Sequence, residues 1–318
     1  MYKTLHIFTL LFALLFTACS TNLPHIVTKP KIQDVQLLCA PNPDNAITPQ
    51  TIEEAFDSLG LTVVGNNDMN IPFQKRFDHT HYKTYNLAMF MDNKLSYKLL
   101  KKYPTFGALT PLTMSIYTKD SKIYIATLSH HGMARAAEIP LDDKDLLQYS
   151  ALIKQALKKA LPAGEFKDNN YKTAQDSLQL KFSTPVDLSD KDAEEYIDDY
   201  EAEFEAEMES LGFLLPNFTN VNEELFIENH YDAYDFYHTY SICKFDVIYP
   251  VSKLHPEAGA WAPCSFYIYK RKDENVMHMG FLSVENWIKT LNIQDEASVQ
   301  PLRKAQQMIV EILHELNH

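Results

Sequence analysis

The sequence predicts an α+β fold of two repeated domains, each an antiparallel sheet with helices packed on one face. A motif in residues 106–112 (FGALTPL) recurs in residues 258–264 (AGAWAPC), each time leading into a strand-like segment. Residues 60–112 also align without a gap with residues 212–264, at a constant offset of 152. Each half has the order strand, helix, several strands and helix, which is typical of α+β domains.

The composition indicates a globular chain and excludes several classes of function. A length of 318 residues is enough for two domains of ordinary size, and 46% hydrophobic residues can supply their cores. The formal net charge of −13 argues against a nucleic-acid partner, because phosphate binding needs clustered positive charge. Only 8 glycines are present and no glycine-rich phosphate loop is visible, which argues against a nucleotide-binding motif.

The N-terminus has the pattern of a bacterial signal peptide, predicted over residues 1–18. Lys3 precedes an apolar run over residues 5–18, shorter than the roughly 20 residues that span a bilayer. The run ends in LFTAC, residues 15–19, which resembles the bacterial lipobox, with Phe16 in place of the usual Leu. We therefore expect lipidation at Cys19 and a tether over residues 19–33; an uncleaved anchor and ordinary secretion are the alternatives.

Ser20, the residue after the predicted lipidated cysteine, indicates where the anchor would lie. A serine at this position resembles lipoproteins that are sorted to the outer membrane of Gram-negative bacteria. The predicted location is therefore the cell envelope, with the chain tethered to the outer membrane and facing the periplasm. The membrane, reached through the lipid at Cys19, is the first predicted partner.

The first domain is predicted over residues 34–161. Thr48 and Pro49 supply an N-cap and a first helical residue, and Gly60 supplies a helix stop. We interpret the His130–His131 pair as a polar strand end. The predicted strands are 35–39, 61–64, 85–91, 112–117 and 123–128, and the predicted helices are 49–59, 92–102 and 145–161.

A polar linker is predicted over residues 162–173, and the second domain over residues 174–318. The acidic run at 190–209 carries apolar residues at helical spacing, so it predicts an amphipathic helix with a solvated acidic face. The remaining predicted strands are 178–182, 265–269 and 276–282, and a closing helix is predicted over 295–316.

The stretches 91–128 and 243–282 resemble the DUF302 family of uncharacterised bacterial domains. That family has a Cys-Asn-Pro step that opens a helix and a Pro-Cys step that opens a strand hairpin. Met91 and Leu112 stand at the cysteine positions in the first domain, whereas Cys243 and Cys264 are present in the second. Together with the lipobox-like segment at residues 15–19, the resemblance implies a tandem DUF302 lipoprotein. It also implies a TATA-binding-protein-like fold of type β-α-β(4)-α in each domain, and it implies no activity.

Cys243 and Cys264 are the candidate ligand or redox site. They could form a disulfide, bind a soft metal as thiolates, react as thiols, or pack as small buried apolar groups. If Cys19 is lipidated, Cys39 makes the remaining number of cysteines odd, so at least one is unpaired within the chain.

Two further motifs suggest metals but have simpler explanations. His314-Glu315-Leu316-Asn317-His318 matches the zinc-protease pattern H-E-x-x-H, yet it occupies the last five residues, so we attribute it to chance. Met277-His278-Met279 suggests copper, but in a strand the two methionines share one face and His278 points to the other, which favours core packing.

We therefore expect a lipid-anchored, non-enzymatic module that binds an unidentified small molecule or protein. The alternative is a thiol- or metal-dependent redox or metal-handling protein that uses Cys243 and Cys264. No catalytic residue and no cofactor are predicted, apart from a soft metal at these two cysteines under the alternative.

Overall fold

Two antiparallel sheets, one in each half of the chain, form the framework of the fold. The structure is a computed structural model and describes residues 32–169, 171–173 and 179–317. The predicted signal peptide, Cys19 and most of the predicted tether lie outside the described residues. Among the described helices, none has the length and apolar character needed to cross a bilayer.

The N-terminal half contains six strands and five α-helices among its described residues. A 3₁₀ helix at Pro104–Leu109 precedes the fourth strand. The elements in chain order are β1 (Val35–Pro41), α1 (Pro49–Asp57), β2 (Thr62–Asp68), α2 (Asn70–Phe77), β3 (Tyr85–Met91), α3 (Asn93–Lys102), β4 (Leu112–Lys119), β5 (Lys122–Leu128), α4 (His130–Ala136), α5 (Lys144–Ala160) and β6 (Glu165–Lys167).

The described C-terminal half has a similar order, with five strands and four α-helices. It has no counterpart of β6, and a π-helix at Asn222–Phe226 takes the place of α2. Its 3₁₀ helix at Pro256–Ala260 occupies the equivalent position. The elements are β7 (Gln179–Pro185), α6 (Ala193–Ser210), β8 (Leu214–Asn220), β9 (Tyr234–Cys243), α7 (Phe245–Leu254), β10 (Cys264–Arg271), β11 (Val276–Leu282), α8 (Glu285–Thr290) and α9 (Glu296–Leu316).

The two sheets have the same strand order over five strands, and the N-terminal sheet has β6 in addition. The N-terminal sheet has the order β2-β3-β4-β5-β1-β6, and the C-terminal sheet has the order β8-β9-β10-β11-β7. All described strand pairs are antiparallel, and long helices pack in pairs, α1 with α5 and α6 with α9. The prediction of an α+β fold with antiparallel sheets and packed helices is confirmed.

Local sequence signals explain where the helices begin and end. Asp92, Asp143 and Asp295 cap α3, α5 and α9 by accepting hydrogen bonds from backbone N–H groups of the first turn. Gly60 and Gly212 follow α1 and α6 with φ of +83° and +77°, a region that favours glycine because it lacks a Cβ.

Two predicted segments differ from the structure, and one further helix was not predicted. The prediction of His130–His131 as a strand end is wrong, because β5 ends at Leu128 and Ser129 caps α4 by accepting from the N–H of Gly132. The predicted linker over 162–173 contributes β6, which pairs with β1. Residues 285–290, which carried no prediction, form α8.

The motif that recurs in residues 106–112 and 258–264, called the Gly-Ala motif below, also joins the two halves. In each half it lies on the 3₁₀ helix, which packs against the sheet of the other half. Gly107 lies against Tyr237 and Tyr267, and Gly259 lies against Leu87 and Ser115. A side chain on either glycine would overlap these groups, so the glycines permit the close approach.

Hydrogen bonds across the halves are also reciprocal. Thr113 Oγ1 donates to the Ala260 carbonyl at 3.0 Å, and Ser265 Oγ donates to the Pro111 carbonyl at 3.1 Å. Thr113 and Ser265 are 152 positions apart. Buried apolar side chains from both halves form one continuous cluster, so the described residues of the two halves fold as one compact unit.

Candidate functional site

Cys243 and Cys264 come from adjacent strands of the C-terminal sheet and line the same cavity. Cys264 on β10 lies opposite Ile242 on β9, so the two cysteines are offset by one residue in register. The cavity has a volume of about 50 Å³. Its other lining residues are mostly apolar and come from the sheet and from the helices beside it, including Val247, Trp287 and Ile309, whereas Lys244 and Gln306 are polar.

Both side chains are half-buried free thiols. Burial raises the pKa of Cys243 to about 12, although a hydrogen bond to the backbone of Lys244 acts in the opposite direction. Burial also raises the pKa of Cys264 to about 12, and the nearby charge of a Cys243 thiolate adds to the effect. Both groups are therefore neutral thiols near pH 7, and the thiolate that reacts or binds metal is scarce.

The equivalent positions in the N-terminal half hold no thiols. Met91 and Leu112 stand 152 positions before Cys243 and Cys264, and both are buried in the core. Cys39 is buried in β1, opposite Tyr124 of β5 in the N-terminal sheet. It therefore belongs to the other sheet and does not complete the cavity of Cys243 and Cys264.

Cys243 also lines a much larger groove of about 530 Å³ between the two halves. This groove, called the inter-half groove below, begins at β2 and α2 on one side and at β8 and α7 on the other. Its apolar lining consists of Met69, Ile71, Pro72, Leu87, Leu214, Pro216, Phe245 and Pro263, together with Cys243. Asn66, Asn67 and Asp68 form its polar part.

The edges of the groove are accessible to solvent. Ile71 is 69% exposed and Leu214 is 40% exposed, which is unusual for large apolar side chains that lie beside a cavity. Asp68 is exposed and accepts a hydrogen bond from the backbone N–H of Asn70 at 2.9 Å. An apolar floor with a carboxylate and amides at one end suits an amphipathic molecule whose polar end donates hydrogen bonds.

Both sides of the groove are held in place by contacts between the halves. Arg76 on α2 forms a bidentate salt bridge with Asp246 on α7, with Arg76 Nη2 2.8 Å from Asp246 Oδ2. The Tyr249 ring stacks on Phe77, with 3.9 Å between ring centroids, and meets Phe73 edge-on. These contacts fix the width of the groove mouth before any ligand binds.

The other candidate metal motifs are dispersed. Within residues 32–169, 171–173 and 179–317, no three His, Cys, Asp or Glu side chains are grouped to hold an ion. His314 packs edge-on against Phe182, and His318 lies outside the described residues. Met277 and Met279 are buried while His278 stacks on Tyr269 on the opposite face, which confirms the predicted core packing.

The comparison with protein families identifies part of the chain. Residues 43–161 match the family model described as "Domain of unknown function DUF302". This stretch is a DUF302 domain. It begins just after β1 and ends just after α5, so it contains β2, α2 and Leu87, which line one side of the inter-half groove.

A solved structure of the same description is also similar. The crystal structure of an uncharacterized conserved protein DUF302 from Bacillus stearothermophilus has a TM-score of 0.36 and 13% sequence identity. The match covers 44% of this chain and 98% of that chain. Comparison with curated proteins finds no match.

Sequence reasoning found the cysteines but missed the inter-half groove. Its residues are scattered from Asn66 in the DUF302 domain to Pro263 in the other half, and they become neighbours only when the halves pack. The available signal was the Ile71-Pro72 step, an apolar pair in a segment with no clear strand or helix pattern. Periodicity alone cannot distinguish such a pair from part of the core.

Proposed function

We propose that this chain is a lipid-anchored binding module of the cell envelope, and that the inter-half groove takes a small amphipathic molecule. The observation that carries the proposal is the groove itself, a cleft of about 530 Å³ with an apolar floor and polar groups at one end. Its volume lies within the range of about 300–1,000 Å³ that is usual for small-molecule sites.

The lining defines the chemistry of the expected ligand. Apolar contact with Ile71, Leu214 and Phe245 requires a hydrophobic body. Asp68 and Asn67 at the polar end favour a head group that is neutral or cationic and that donates hydrogen bonds. An anionic head would meet the Asp68 carboxylate, so fatty-acid-like ligands are disfavoured.

The membrane tether rests on the N-terminal sequence. The apolar run over residues 5–18, followed by the lipobox-like segment and Cys19, supports a lipid anchor, and Ser20 supports an outer-membrane location facing the periplasm. A tether of this kind would hold the binding domain near the membrane that supplies an amphipathic ligand.

We also infer that the C-terminal half, residues 174–318, is a second DUF302-like domain, so that the chain is a tandem pair. The shared strand order and the constant offset of 152 support this inference. The match to DUF302 covers the first domain, and the second departs from the family's Asn-Pro step with Lys244 and Phe245.

A neutral solvatochromic dye such as Nile red tests the groove in the detergent-solubilised full chain. We expect Ile71→Gln with Leu214→Gln to weaken dye binding at least about tenfold, because two apolar contacts are lost. Leu141→Gln with Leu254→Gln is the matched control, since these residues are 50% and 57% exposed and lie outside the groove. Equal affinity in the two double variants would contradict the proposal.

The second candidate function is thiol or soft-metal chemistry at Cys243 and Cys264. Their common cavity favours it, whereas their raised pKa values disfavour it. This candidate is tested on protein that has been exported to the periplasm and then purified. Free thiols are titrated, and bound metal is measured by elemental analysis. Fewer free thiols than expected, or bound metal that is lost in Cys264→Ala, would support the second candidate.

A further inference from the structure

A second pocket lies at the end of the β4–β5 hairpin, and its lining is polar. It has a volume of about 220 Å³. Its walls are the loop after β1 (Asn42, Pro43 and Asn45), the residue Lys83 before β3, and the hairpin turn at residues 118–122. Because Lys83, Lys119 and Lys122 all line it, we call it the lysine pocket.

Hydrogen bonds that involve the backbone join the three walls of the pocket. The N–H of Asn42 donates to the carbonyl of Ser121 at 2.8 Å, which fixes the loop after β1 to the hairpin turn. Two hydrogen bonds join Thr84, the residue after Lys83, to Thr118. The N–H of Thr118 donates to the Thr84 carbonyl, and the N–H of Thr84 donates to Thr118 Oγ1. The pocket is therefore built from ordered backbone and needs little rearrangement to bind.

The charge in the pocket is positive and uncompensated. Within the part of the chain that the structure describes, none of the Lys83, Lys119 and Lys122 ammonium groups has a carboxylate partner within the 4.0 Å of an ion pair. Asp120 is the acidic residue in the lining, so the pocket has an excess of two positive charges. This excess stands out in a chain with a net charge of −13.

The equivalent hairpin in the C-terminal half shows that the fold does not require free lysines here. Asp235 stands 152 positions after Lys83 and pairs with Lys270 at 2.5 Å. Arg271 pairs with Asp273 at 3.1 Å, and Lys272 pairs with Asp232. The cations of that hairpin are therefore neutralised within the protein.

We propose that the lysine pocket binds a phosphate group, either as inorganic phosphate or as a phosphate monoester such as a lipid head group. Three exposed lysines that line one pocket from two wall segments can supply ammonium groups to a compact dianion. The Ser121 hydroxyl, which lies in the same turn, adds a donor. This site is separate from the inter-half groove, with which it shares no lining residue.

Calorimetric titration of the detergent-solubilised full chain with inorganic phosphate and with glycerol 3-phosphate tests the proposal. We expect both anions to bind, with affinity that falls as salt rises. The Lys83→Gln, Lys119→Gln, Lys122→Gln variant should lose at least about tenfold in affinity. Tighter binding of glycerol 3-phosphate would favour the ester as the source, and tighter binding of inorganic phosphate would favour the free anion. Equal affinities would show that the phosphate group alone is recognised.

A matched variant separates a local site from overall charge. Lys94, Lys154 and Lys159 are exposed and lie outside the pocket, so their replacement by Gln changes the net charge by the same amount. This control should keep the wild-type affinity, and so should the Ile71→Gln, Leu214→Gln groove variant. No binding by the wild-type chain at about 10 mM anion, or equal losses in the two lysine variants, would overturn the proposal.

Discussion

His255 Nε2 lies 3.0 Å from Oδ2 of Asp295, the residue that caps α9. The equivalent contact in the N-terminal half uses a tyrosine, because Tyr103 OH donates to Oδ2 of Asp143, the cap of α5, at 3.1 Å. Both pairs join the segment before the 3₁₀ helix to the start of the closing helix. The His255–Asp295 contact therefore contains an imidazole, the side chain whose ordinary pKa is nearest to neutral pH, whereas the Tyr103–Asp143 contact does not.

The His255 contact predicts a pH-dependent stability. Burial favours the neutral imidazole, but the nearby Glu257 carboxylate, 3.9 Å away, and the hydrogen-bonded Asp295 carboxylate outweigh it and raise the pKa of His255 above 6.5. The contribution of this group is therefore complete below about pH 6.5 and is lost as pH rises through the folded-state pKa. Urea unfolding should show His255→Gln to be destabilised by about 1 kcal/mol more at acidic than at alkaline pH.

The tyrosine pair supplies the control for this prediction. Burial, together with the nearby Asp143 carboxylate, raises the pKa of Tyr103, so its hydroxyl stays protonated across the same range. Tyr103→Phe should therefore cost the same free energy of unfolding at both pH values. A His255→Gln cost that is also independent of pH would contradict the titration of His255.

The close approach of Gly259 to the N-terminal sheet predicts a large effect of a single methyl group. In Gly259→Ala, the new Cβ would lie 2.5 Å from Ser115 Cβ, so one half must shift against the other. We expect a loss of about 1–3 kcal/mol in the free energy of unfolding. Gly65→Ala is the control, because its new Cβ meets the flexible end of Met89 and should cost less. Equal losses would argue against tight docking of the 3₁₀ helix.

The raised pKa values of Cys243 and Cys264 predict slow alkylation. At pH 8, few of these thiols are thiolates, although each thiolate is more nucleophilic than one of ordinary pKa. We expect iodoacetamide to modify both at least about tenfold more slowly than it modifies a free cysteine. Mass spectrometry with and without urea measures this difference. Rapid labelling of the folded chain would instead support a reactive-thiol function.

Cys19→Ser tests the lipid anchor in the producing cell. If Cys19 is the lipidation site, the variant should incorporate no radiolabelled palmitate. It should also no longer be recovered in the outer-membrane fraction of the cells. Cys39→Ser changes another cysteine outside the predicted signal and should keep both properties. Palmitate incorporation by Cys19→Ser would show that the anchor prediction is wrong.

The elements that sequence predicted well are those with strong local signals. The helix start at Thr48 and the helix stop at Gly60 depend on residues close in sequence, and the structure has both of them. The α4 helix was missed because residues 130–136 contain adjacent histidines and a glycine and have no clear apolar stripe. Its existence depends on packing, since Gly132 touches the backbone of Asp34.

The candidate sites were harder to predict than the fold. The sequence indicated Cys243 and Cys264 as a pair, and the structure places both in the lining of one cavity. Their protonation depends on burial, which the sequence does not give. The polar half of α6 was correctly expected to face solvent, yet Glu201 on that helix is buried against His238 at 2.8 Å. Helical spacing gives the position of a residue on its own helix, whereas such partners depend on neighbouring strands.

The reciprocal docking of the two 3₁₀ helices has a consequence for how the chain can be divided. A break within residues 162–173 would leave two fragments, each with a sheet face shaped to receive the Gly-Ala segment of the other. In the intact chain each face is covered by the 3₁₀ helix of the other half. Co-expressed halves should therefore associate into a non-covalent heterodimer, as the two fragments of a split protein do.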